Sequence, residues 1–408
     1  MSSLIVQKFG GTSVGSIERI SKVVERVASR ARKGHRLAIV VSAMAGETDR
    51  MIGLAKQFGA EVNRRELDAL LATGEQACAA LISIALSAKG IASISFQGGQ
   101  VPIRTDSNFG NASIQSVAPQ HVLRHLDEGK IVIVAGYQGV TDGNEITTLG
   151  RGGSDLTAVA LAAALDAEQC EIYTDVSGVF TADPQVCSDA RLIRKISYDE
   201  MLELASLGAK VLQARSVQLA KRYMIPIWVG SSFEDAEGTW VTKEELTMEG
   251  TVVSGISCDR KDAKISLRHL PDPIQSMTQL FSALADIQVV VDVIVQDKTT
   301  DGKTNLTFTI PRENLHTALK IAQQIFKGIP DVEIISEEKV AKISAVGLGM
   351  RTHSGVAAKM FQCLAREGIE VWAVSTSEIK ISCVIDERYA ELAVRALHDQ
   401  FGLAKEPH

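Results

Sequence analysis

Residues Leu4 to Ser13 read LIVQKFGGTS, and an amphipathic pattern follows from Ile17 to Arg32. The apolar run predicts a strand, and apolar residues three or four positions apart predict a helix. A diglycine between strand and helix lets backbone N–H groups point into one concavity, where the helix N-terminus favours an anion. Lys8 would add a full positive charge there. An ordinary tight turn with a solvated lysine is the alternative interpretation.

The same alternation of short β-branched runs and longer helical patterns continues to about residue 232. It is typical of βαβ units and predicts an α/β fold with a mostly parallel sheet. The predicted strands are Leu4–Gln7, Leu37–Ser42, Ala92–Phe96, Ile131–Ala135, Glu171–Thr174 and Ile225–Val229. The alanine-rich segment Leu156–Leu165 is apolar on almost every face, which predicts a buried helix.

A second glycine-rich segment, LGRGGSD from Leu149 to Asp155, precedes that helix. Its glycines allow a phosphate to approach the backbone, and Arg151 can hold a carboxylate through two hydrogen bonds. Ser154 and Asp155 stand where capping residues are expected. A capped helix with a flexible preceding loop is the alternative, but it does not explain why two glycine-rich anion sites occur in one chain.

A third polar cluster follows the predicted strand Glu171–Thr174, where Asp175 precedes GVFTADP from Gly178 to Pro184. Ligands of doubly wound sheets lie beyond the carboxyl ends of the strands, although Asp183-Pro184 alone is also a turn signal. The chain has no GxGxxG, no complete P-loop and no H-R-D or D-F-G. A dinucleotide fold and a protein kinase therefore have no support. His121 and His125 lack a third metal ligand, which favours an exposed helix face over a metal site.

The composition describes a globular protein of several domains. The chain has 408 residues, of which 45% are hydrophobic and 23% charged, with a net charge of −6. Mild acidity and scattered basic residues argue against nucleic acid as a partner. The six cysteines form no C-x-x-C, which favours a reducing compartment. With no signal segment and no apolar run of about 20 residues, we expect a cytoplasmic protein without a membrane partner.

The C-terminal part of the chain repeats itself. A polar, acidic stretch from Ser231 to Gly250 predicts a linker. After it, AKIS at Ala263 recurs 78 residues later, and FSALA at Phe281 recurs as FQCLA 80 residues later. Each copy predicts a small βαββαβ module. We therefore expect domains at residues 1–250, 251–338 and 339–408, with interleaved strands near 338.

Taken together, these motifs resemble those of the aspartate kinases. The pairing of KFGGTS from Lys8 with LGRGGSD from Leu149 is the family's own, and ATGEQ from Ala72 matches as well. The resemblance covers nearly the whole chain and includes the two modules, which resemble paired ACT domains. It implies a three-layer αβα amino-acid kinase fold followed by two ferredoxin-like ACT domains. The implied reaction is ATP-dependent phosphorylation of the aspartate side chain, the first step of lysine, threonine and methionine synthesis.

The resemblance also implies a set of site residues. Lys8 and Asp155 match the catalytic pair. The aspartate-binding positions correspond to Thr48, Glu75, Arg151 and Ser154. The ATP positions correspond to Lys8, Gly10, Gly11, Ser42, Thr174, Asp175, Phe180, Gln185, Lys210 and Val211. Mg²⁺ would arrive with ATP and take no ligand from a protein side chain.

The implied chemistry agrees with the residues. A substrate carboxylate is already ionised at neutral pH, so catalysis reduces to alignment and charge neutralisation. Lys8, Mg²⁺ and the glycine N–H groups would stabilise the transferred phosphoryl group. Arg151 would hold the α-carboxylate and Glu75 the amino group, while Asp155 would orient Lys8 or the substrate amine.

The chain departs from the family pattern in two places. Gln185 replaces an arginine near the nucleotide, so we expect weaker ATP binding or compensation by Arg191 or Arg194. The family's P-D-x-P-G loop reads PDPIQSM from Pro271 to Met277, without the glycine that suits a positive φ. The effector positions correspond to Asp272, Gln275, Met277, Asp292, Gln296, Ser377 and Glu378. They imply feedback by lysine, threonine or both.

Two other functions stay open from the sequence. Another amino-acid kinase, acting on glutamate or acetylglutamate, fits poorly with Thr48, Glu75 and the tandem modules. A degenerate kinase that only binds amino acids has Gln185 as its sole support. ACT modules expose sheet edges that pair between subunits, which predicts a homo-oligomer. A shorter subunit starting at Met248 also stays open.

Overall fold

The computed structural model describes residues 3–59, 62–208, 211–235, 237–244, 252–271, 273–298, 302–351, 353 and 355–405. Lys210, Asp272 and Met248 lie outside these residues. The described residues form two compact units. The first unit holds residues 3–179, 192–206 and 211–244, and the second holds 180–191, 207–208 and the residues from 252 onward.

The first unit contains short strands and longer helices in alternation. Its strands are β1 (Leu4–Phe9), β2 (Arg36–Val41), β3 (Ser93–Phe96), β4 (Ile103–Thr105), β5 (Ile114–Val117), β6 (Ile131–Ala135), β7 (Gln138–Val140), β8 (Ile146–Thr148), β9 (Gln169–Thr174), β10 (Lys195–Ser197), β11 (Ile227–Ser231) and β12 (Thr239–Thr242). Its helices are α1 (Ile17–Arg32), α2 (Glu47–Lys56), α3 (Arg64–Ala88), α4 (Gln120–Asp127), α5 (Gly153–Ala164), α6 (Tyr198–Ser206) and α7 (Ala214–Tyr223).

A mostly parallel sheet forms the centre of the first unit. Within the described residues its order is β10-β12-β11-β9-β1-β2-β6-β3, and β11 with β12 is its antiparallel pair. All six strands predicted from the sequence lie in this sheet, with ends shifted by two residues at most. Helices α1 and α3 share one core cluster with the central strands, while α5 packs against β1, β2 and β9 outside that cluster. The three-layer αβα architecture is thereby confirmed.

Helix α5 begins earlier than the sequence predicts. It starts at Gly153, and Gly152 is its N-cap with φ 73°. Ser154 and Asp155 therefore lie in the first turn, and the predicted capping role is wrong because no side chain caps this helix. The left-handed backbone of Gly152 ends the preceding loop and leaves both polar side chains for other contacts.

Helix α3 is the one described helix whose length and apolar composition would allow it to cross a membrane. Core helices of globular proteins pass the same test, and α3 packs one of its faces into such a core. Ile82 and Leu86 are fully buried in the core cluster, and Asp68 and Glu75 are buried on the same helix. Two buried carboxylates with protein partners identify a helix that faces protein rather than lipid.

A second, smaller sheet of the first unit has the order β5-β4-β7-β8. The sequence analysis does not predict it, because its strands are only three or four residues long. The hairpin β7–β8 ends at Thr148, directly before the glycine-rich segment at Leu149. This sheet therefore places that segment at the start of α5.

The second unit contains the repeated modules. Its strands are β13 (Gly255–Asp259), β14 (Asp262–Leu270), β15 (Ile294–Lys298), β16 (Thr304–Pro311), β17 (Glu333–Glu337), β18 (Val340–Val346), β19 (Ala373–Thr376) and β20 (Lys380–Asp386). Its helices are α8 (Pro273–Asp286), α9 (Leu315–Ile325), α10 (Val356–Arg366) and α11 (Ala390–Gln400). One sheet has the order β15-β16-β14-β17 and the other β13-β18-β20-β19. Strand β13, which precedes the first module in the chain, thus completes the sheet of the second.

The residues from Pro273 to Met277 do not form the loop that the sequence analysis expects. Helix α8 begins at Pro273, so Gln275 and Met277 are helical. Proline favours the first position of a helix, because its fixed φ is helical and its missing N–H would have no partner there. Met277 packs against the apolar core of the first module.

Candidate active site

A cleft of about 600 Å³ lies beyond the carboxyl ends of β1, β2 and β6 in the first unit. It brings together eight of the residues that the sequence analysis assigned to the site. These are Lys8, Gly11, Ser42, Thr48, Glu75, Arg151, Ser154 and Asp155. They come from the ends of two parallel strands, β1 and β2, from the loop before α5 and from three helices, and the parallel sheet is what assembles them.

An ion pair between Lys8 and Asp155 lies inside the cleft. Lys8 Nζ is 2.6 Å from Asp155 Oδ1, and the two residues are only 8% and 7% exposed. Lys8 projects from β1, and Asp155 from the first turn of α5. Gly10 keeps space beside the ammonium, since a Cβ there would be 3.3 Å from Lys8 Nζ. The pair fixes one positive group inside the cleft.

Two helix N-termini also open into the cleft. Helices α2 and α5 start after Gly46 and Gly152, which have φ of 81° and 73°, and no side chain caps either helix. The first N–H groups of an uncapped helix lack intrahelical acceptors and carry partial positive charge. A negatively charged ligand is therefore the natural occupant.

Glu75 adds a buried carboxyl group to the same cleft. It is 3% exposed, and its Oε1 accepts a hydrogen bond of 3.0 Å from Ala43 N. Its Oε2 has no partner within the described part of the chain. Burial raises the pKa of Glu75 to about 7. A buried carboxyl with one free oxygen can receive a cation such as an ammonium group.

The pKa of Glu75 predicts how stability depends on pH. The folded value of about 7 lies above the ordinary 4.5, so the protonated group stabilises the fold, and this contribution disappears as pH rises through 7. We expect the free energy of unfolding of the unliganded protein to fall by about 3 kcal/mol between pH 5 and pH 8 because of this group. Urea unfolding at pH 5 and pH 8 measures the loss. Glu75→Gln should remove it, and an equal pH dependence in the variant would contradict the assignment.

Arg151 is exposed, lines the cleft and makes no ion pair with another described residue. Thr48 lies in the first turn of α2, and the buried Ser154 lies in the first turn of α5. One free guanidinium and two hydroxyls thus face the cleft together with Glu75. Such a set suits a ligand that has both an anionic and a cationic group.

The predicted ATP positions are more scattered. Gly10 N donates to Tyr173 O over 3.2 Å, so the first glycine loop is tied to β9. Thr174 and Asp175 lie at the end of β9, and neither they nor Val211 line the cleft. Phe180 and Gln185 belong to the second unit, where the Gln185 side chain is exposed.

The sequence analysis missed Tyr137, which follows β6 and lines the cleft with a φ of 67°. Its N donates to Thr157 Oγ1 over 3.2 Å, and its O accepts from Leu149 N over 2.9 Å. These bonds hold a left-handed backbone that costs a non-glycine residue energy. The signal was its place directly after a buried strand.

The predicted effector residues that the structure describes lie in the second unit. Asp292 is ion-paired with Lys342. Gln296 is exposed on β15, and Ser377 and Glu378 are exposed directly after β19. Both strands are at the edges of their sheets. In the first unit, His125 pairs with Glu128 at 3.1 Å, and the described residues contain no cluster of three metal-binding side chains.

Comparisons with known proteins agree with this architecture. Residues 3–231 match the amino acid kinase family, and residues 343–401 match the ACT domain. The chain is 48% identical to an aspartate kinase of Pseudomonas putida, with 98% of each chain covered. It is 50% identical to an aspartokinase of Geobacillus stearothermophilus, with 99% of this chain and 98% of that protein covered.

Solved structures give the same result. Escherichia coli aspartokinase III in complex with aspartate and ADP superimposes with a TM-score of 0.82 at 25% identity, with 97% of this chain and 99% of that one covered. The same enzyme in complex with lysine and aspartate gives 0.77 at 25% identity, with 98% and 100% covered. The chain therefore belongs to the aspartate kinases, the members of the amino acid kinase family that transfer a phosphoryl group from ATP to the side-chain carboxylate of aspartate.

Proposed function

We propose that the cleft of the first unit is where the phosphoryl group passes from ATP to aspartate, with Lys8 and Asp155 as the catalytic pair. The observation that supports this most is the buried ion pair beside two uncapped helix N-termini. The ammonium of Lys8 neutralises charge on the transferred group, and Asp155 holds that ammonium in place. No general base is needed, because the attacking carboxylate is already ionised.

Aspartate binds through its α-amino acid end. The free guanidinium of Arg151 holds the α-carboxylate, and the unpartnered oxygen of Glu75 receives the ammonium. Thr48 and Ser154 add hydrogen bonds from the first turns of α2 and α5. With both ends of the amino acid fixed, the side-chain carboxylate is left to react near Lys8.

ATP binds next to the same cleft. Its phosphates meet the backbone of Gly10 and Gly11, the hydroxyl of Ser42 and the ammonium of Lys8. The other residues that the resemblance implies for nucleotide binding are Thr174, Asp175, Phe180, Gln185, Lys210 and Val211. Mg²⁺ would neutralise charge on the phosphates of ATP, and it needs few protein ligands because it keeps several waters.

The second unit senses amino acids. We assign effector binding to Asp272, Gln275, Met277, Asp292, Gln296, Ser377 and Glu378, with lysine, threonine or both as effectors. The likeness to the lysine complex of Escherichia coli aspartokinase III supports lysine. The exposed edge strand β15, with Ile294 50% exposed, offers a surface for pairing with a second copy.

Cytoplasmic location and an intact active site complete the proposal. All six cysteines are free, as expected in a reducing compartment. A degenerate regulator fits less well, because Lys8, Asp155 and Arg151 all line the cleft. Kinases that act on glutamate or acetylglutamate are disfavoured by the relatives of nearly full length, which are aspartate kinases.

An assay of acyl-phosphate formation tests the reaction and its regulation together. We expect hydroxylamine to trap a hydroxamate that requires aspartate, ATP and Mg²⁺, and we expect lysine or threonine to reduce its rate. Glutamate in place of aspartate is the substrate control. Activity that neither lysine nor threonine changes would overturn the proposed feedback but not the proposed kinase reaction. Effector binding without any hydroxamate would instead favour a degenerate kinase that acts only as a regulator.

A further inference from the structure

The loop from Thr148 to Gly152 carries Arg151 into the cleft, and we call it the Arg151 loop. Its glycines, Gly150 and Gly152, have φ of 75° and 73°. A short loop with two such glycines has many conformations unless other groups hold it. The structure shows which groups hold it, and two of them are charged side chains that do not line the cleft.

Asp68 holds the start of the loop. It lies on α3 and is 1% exposed. Its Oδ2 accepts from Thr148 N over 2.8 Å, and its Oδ1 accepts from Thr148 Oγ1 over 2.7 Å. Oδ2 also accepts from Gly110 N over 2.9 Å. A buried carboxylate is costly unless its oxygens are hydrogen-bonded, and here both are.

Arg215 holds the next residue from α7. Its Nη1 donates to Leu149 O over 2.7 Å and to Asn111 Oδ1 over 3.0 Å. Its Nη2 donates to Ala112 O over 2.9 Å. Asp68 and Arg215 therefore bind both the Arg151 loop and the neighbouring segment 110–112, from two different helices.

The backbone groups of Thr148 and Leu149 are all hydrogen-bonded. Thr148 O accepts from Ala112 N, and Leu149 N donates to Tyr137 O, each over 2.9 Å. Both N–H groups and both carbonyls of Thr148 and Leu149 thus have partners. Arg151 follows only two residues later, so its Cα position depends on this tied segment.

We propose that Asp68 and Arg215 are positioning residues for aspartate binding, which act by fixing the Arg151 loop before the substrate arrives. The inference rests on the proposed role of Arg151 as the partner of the α-carboxylate. A guanidinium that is already in place binds without the entropic cost of ordering a loop. The affinity for aspartate should therefore depend on two side chains that never touch it.

Steady-state kinetics of Asp68→Asn test this inference. The variant keeps the shape of the side chain but removes its negative charge, so the hydrogen bonds from Thr148 N, Thr148 Oγ1 and Gly110 N are no longer charge-assisted. We expect KM for aspartate to rise about tenfold, which corresponds to about 1.4 kcal/mol, with KM for ATP unchanged and kcat within about twofold. Arg215→Gln should act in the same direction. If Asp68→Asn does not fold, Thr148→Val removes the hydrogen bond from Thr148 Oγ1 to Asp68 and keeps the one from Thr148 N.

Asp106→Asn is the matched control. Asp106 also accepts two backbone hydrogen bonds, from Asn108 N and Ser113 N at 3.1 Å each, but it does not contact the Arg151 loop. The same substitution there should leave KM for aspartate unchanged. A comparable rise in the control would mean that loosening the small sheet is enough, and it would overturn the specific role of Asp68.

A double-mutant cycle separates positioning from general destabilisation. If Asp68 acts through Arg151, Asp68→Asn should have no further effect on KM for aspartate in an Arg151→Ala background. Additive effects of the two substitutions on KM for aspartate would overturn the inference. It would also be overturned if Arg151→Ala raised KM for aspartate and neither Asp68→Asn nor Arg215→Gln changed it. An Arg151→Ala protein with unchanged KM would instead overturn the proposed role of Arg151, and with it this inference.

Discussion

Lys8→Met should lower kcat by on the order of 10³-fold, because the variant loses the positive charge that in the proposed mechanism neutralises the transferred phosphoryl group. Lys8 Nζ is the partner of Asp155 Oδ1 at 2.6 Å, and both residues are nearly buried. The loss of one partner also leaves a buried carboxylate uncompensated, which destabilises a fold by about 3–5 kcal/mol. Kinetics must therefore be measured together with stability.

The double variant Lys8→Met with Asp155→Asn separates these two effects. It leaves neither member of the buried ion pair charged without its partner, so we expect urea unfolding to show stability close to that of the wild type. Its kcat should stay as low as that of Lys8→Met. Lys22→Met, on the exposed face of α1, is the control for removal of a lysine and should retain full activity. Activity that returns with stability in the double variant would show that Lys8 is structural.

The central sheet could be predicted from the sequence because its strands are continuous β-branched runs. Such a run is buried on both faces, and β6 (Ile131–Ala135) is the clearest case, with every residue buried. The small sheet has no comparable signal. Strands such as β4 (Ile103–Thr105) and β7 (Gln138–Val140) are too short for a period, and their pairing depends on tertiary contacts.

The same distinction holds for the cleft. Lys8, Arg151 and Asp155 lie in glycine-rich segments that carry a local signal, and the structure brings them together. Asp68 and Arg215 have no such signal, because their hydrogen bonds to Thr148 and Leu149 join residues 80 and 66 positions apart. Charged residues inside helices are ordinarily assigned to solvated faces. Only the fold shows that these two hold a loop of the cleft.

Arg151→Ala should raise KM for aspartate by about 100-fold. A guanidinium can form two charge-assisted hydrogen bonds with a carboxylate, and losing them removes about 3 kcal/mol of binding energy. Only KM for aspartate should rise strongly, and KM for ATP should change little, because we assign the guanidinium to binding of the amino acid. Arg151→Lys keeps the charge without the planar fork and should give an intermediate KM.

A control variant and an altered substrate test whether this rise in KM reflects recognition of the α-carboxylate. Arg124→Ala removes an arginine that is exposed on α4 and pairs with Glu128, so its KM for aspartate should match the wild type. Aspartate α-amide lacks the charged group that Arg151 is assigned to hold. It should bind the wild type about as weakly as aspartate binds Arg151→Ala, and Arg151→Ala should discriminate little between the two. If Arg151→Ala still preferred aspartate over the α-amide by the wild-type ratio, another group would hold the α-carboxylate. The Arg151 loop, which Asp68 and Arg215 hold in place, would then serve a different part of the reaction.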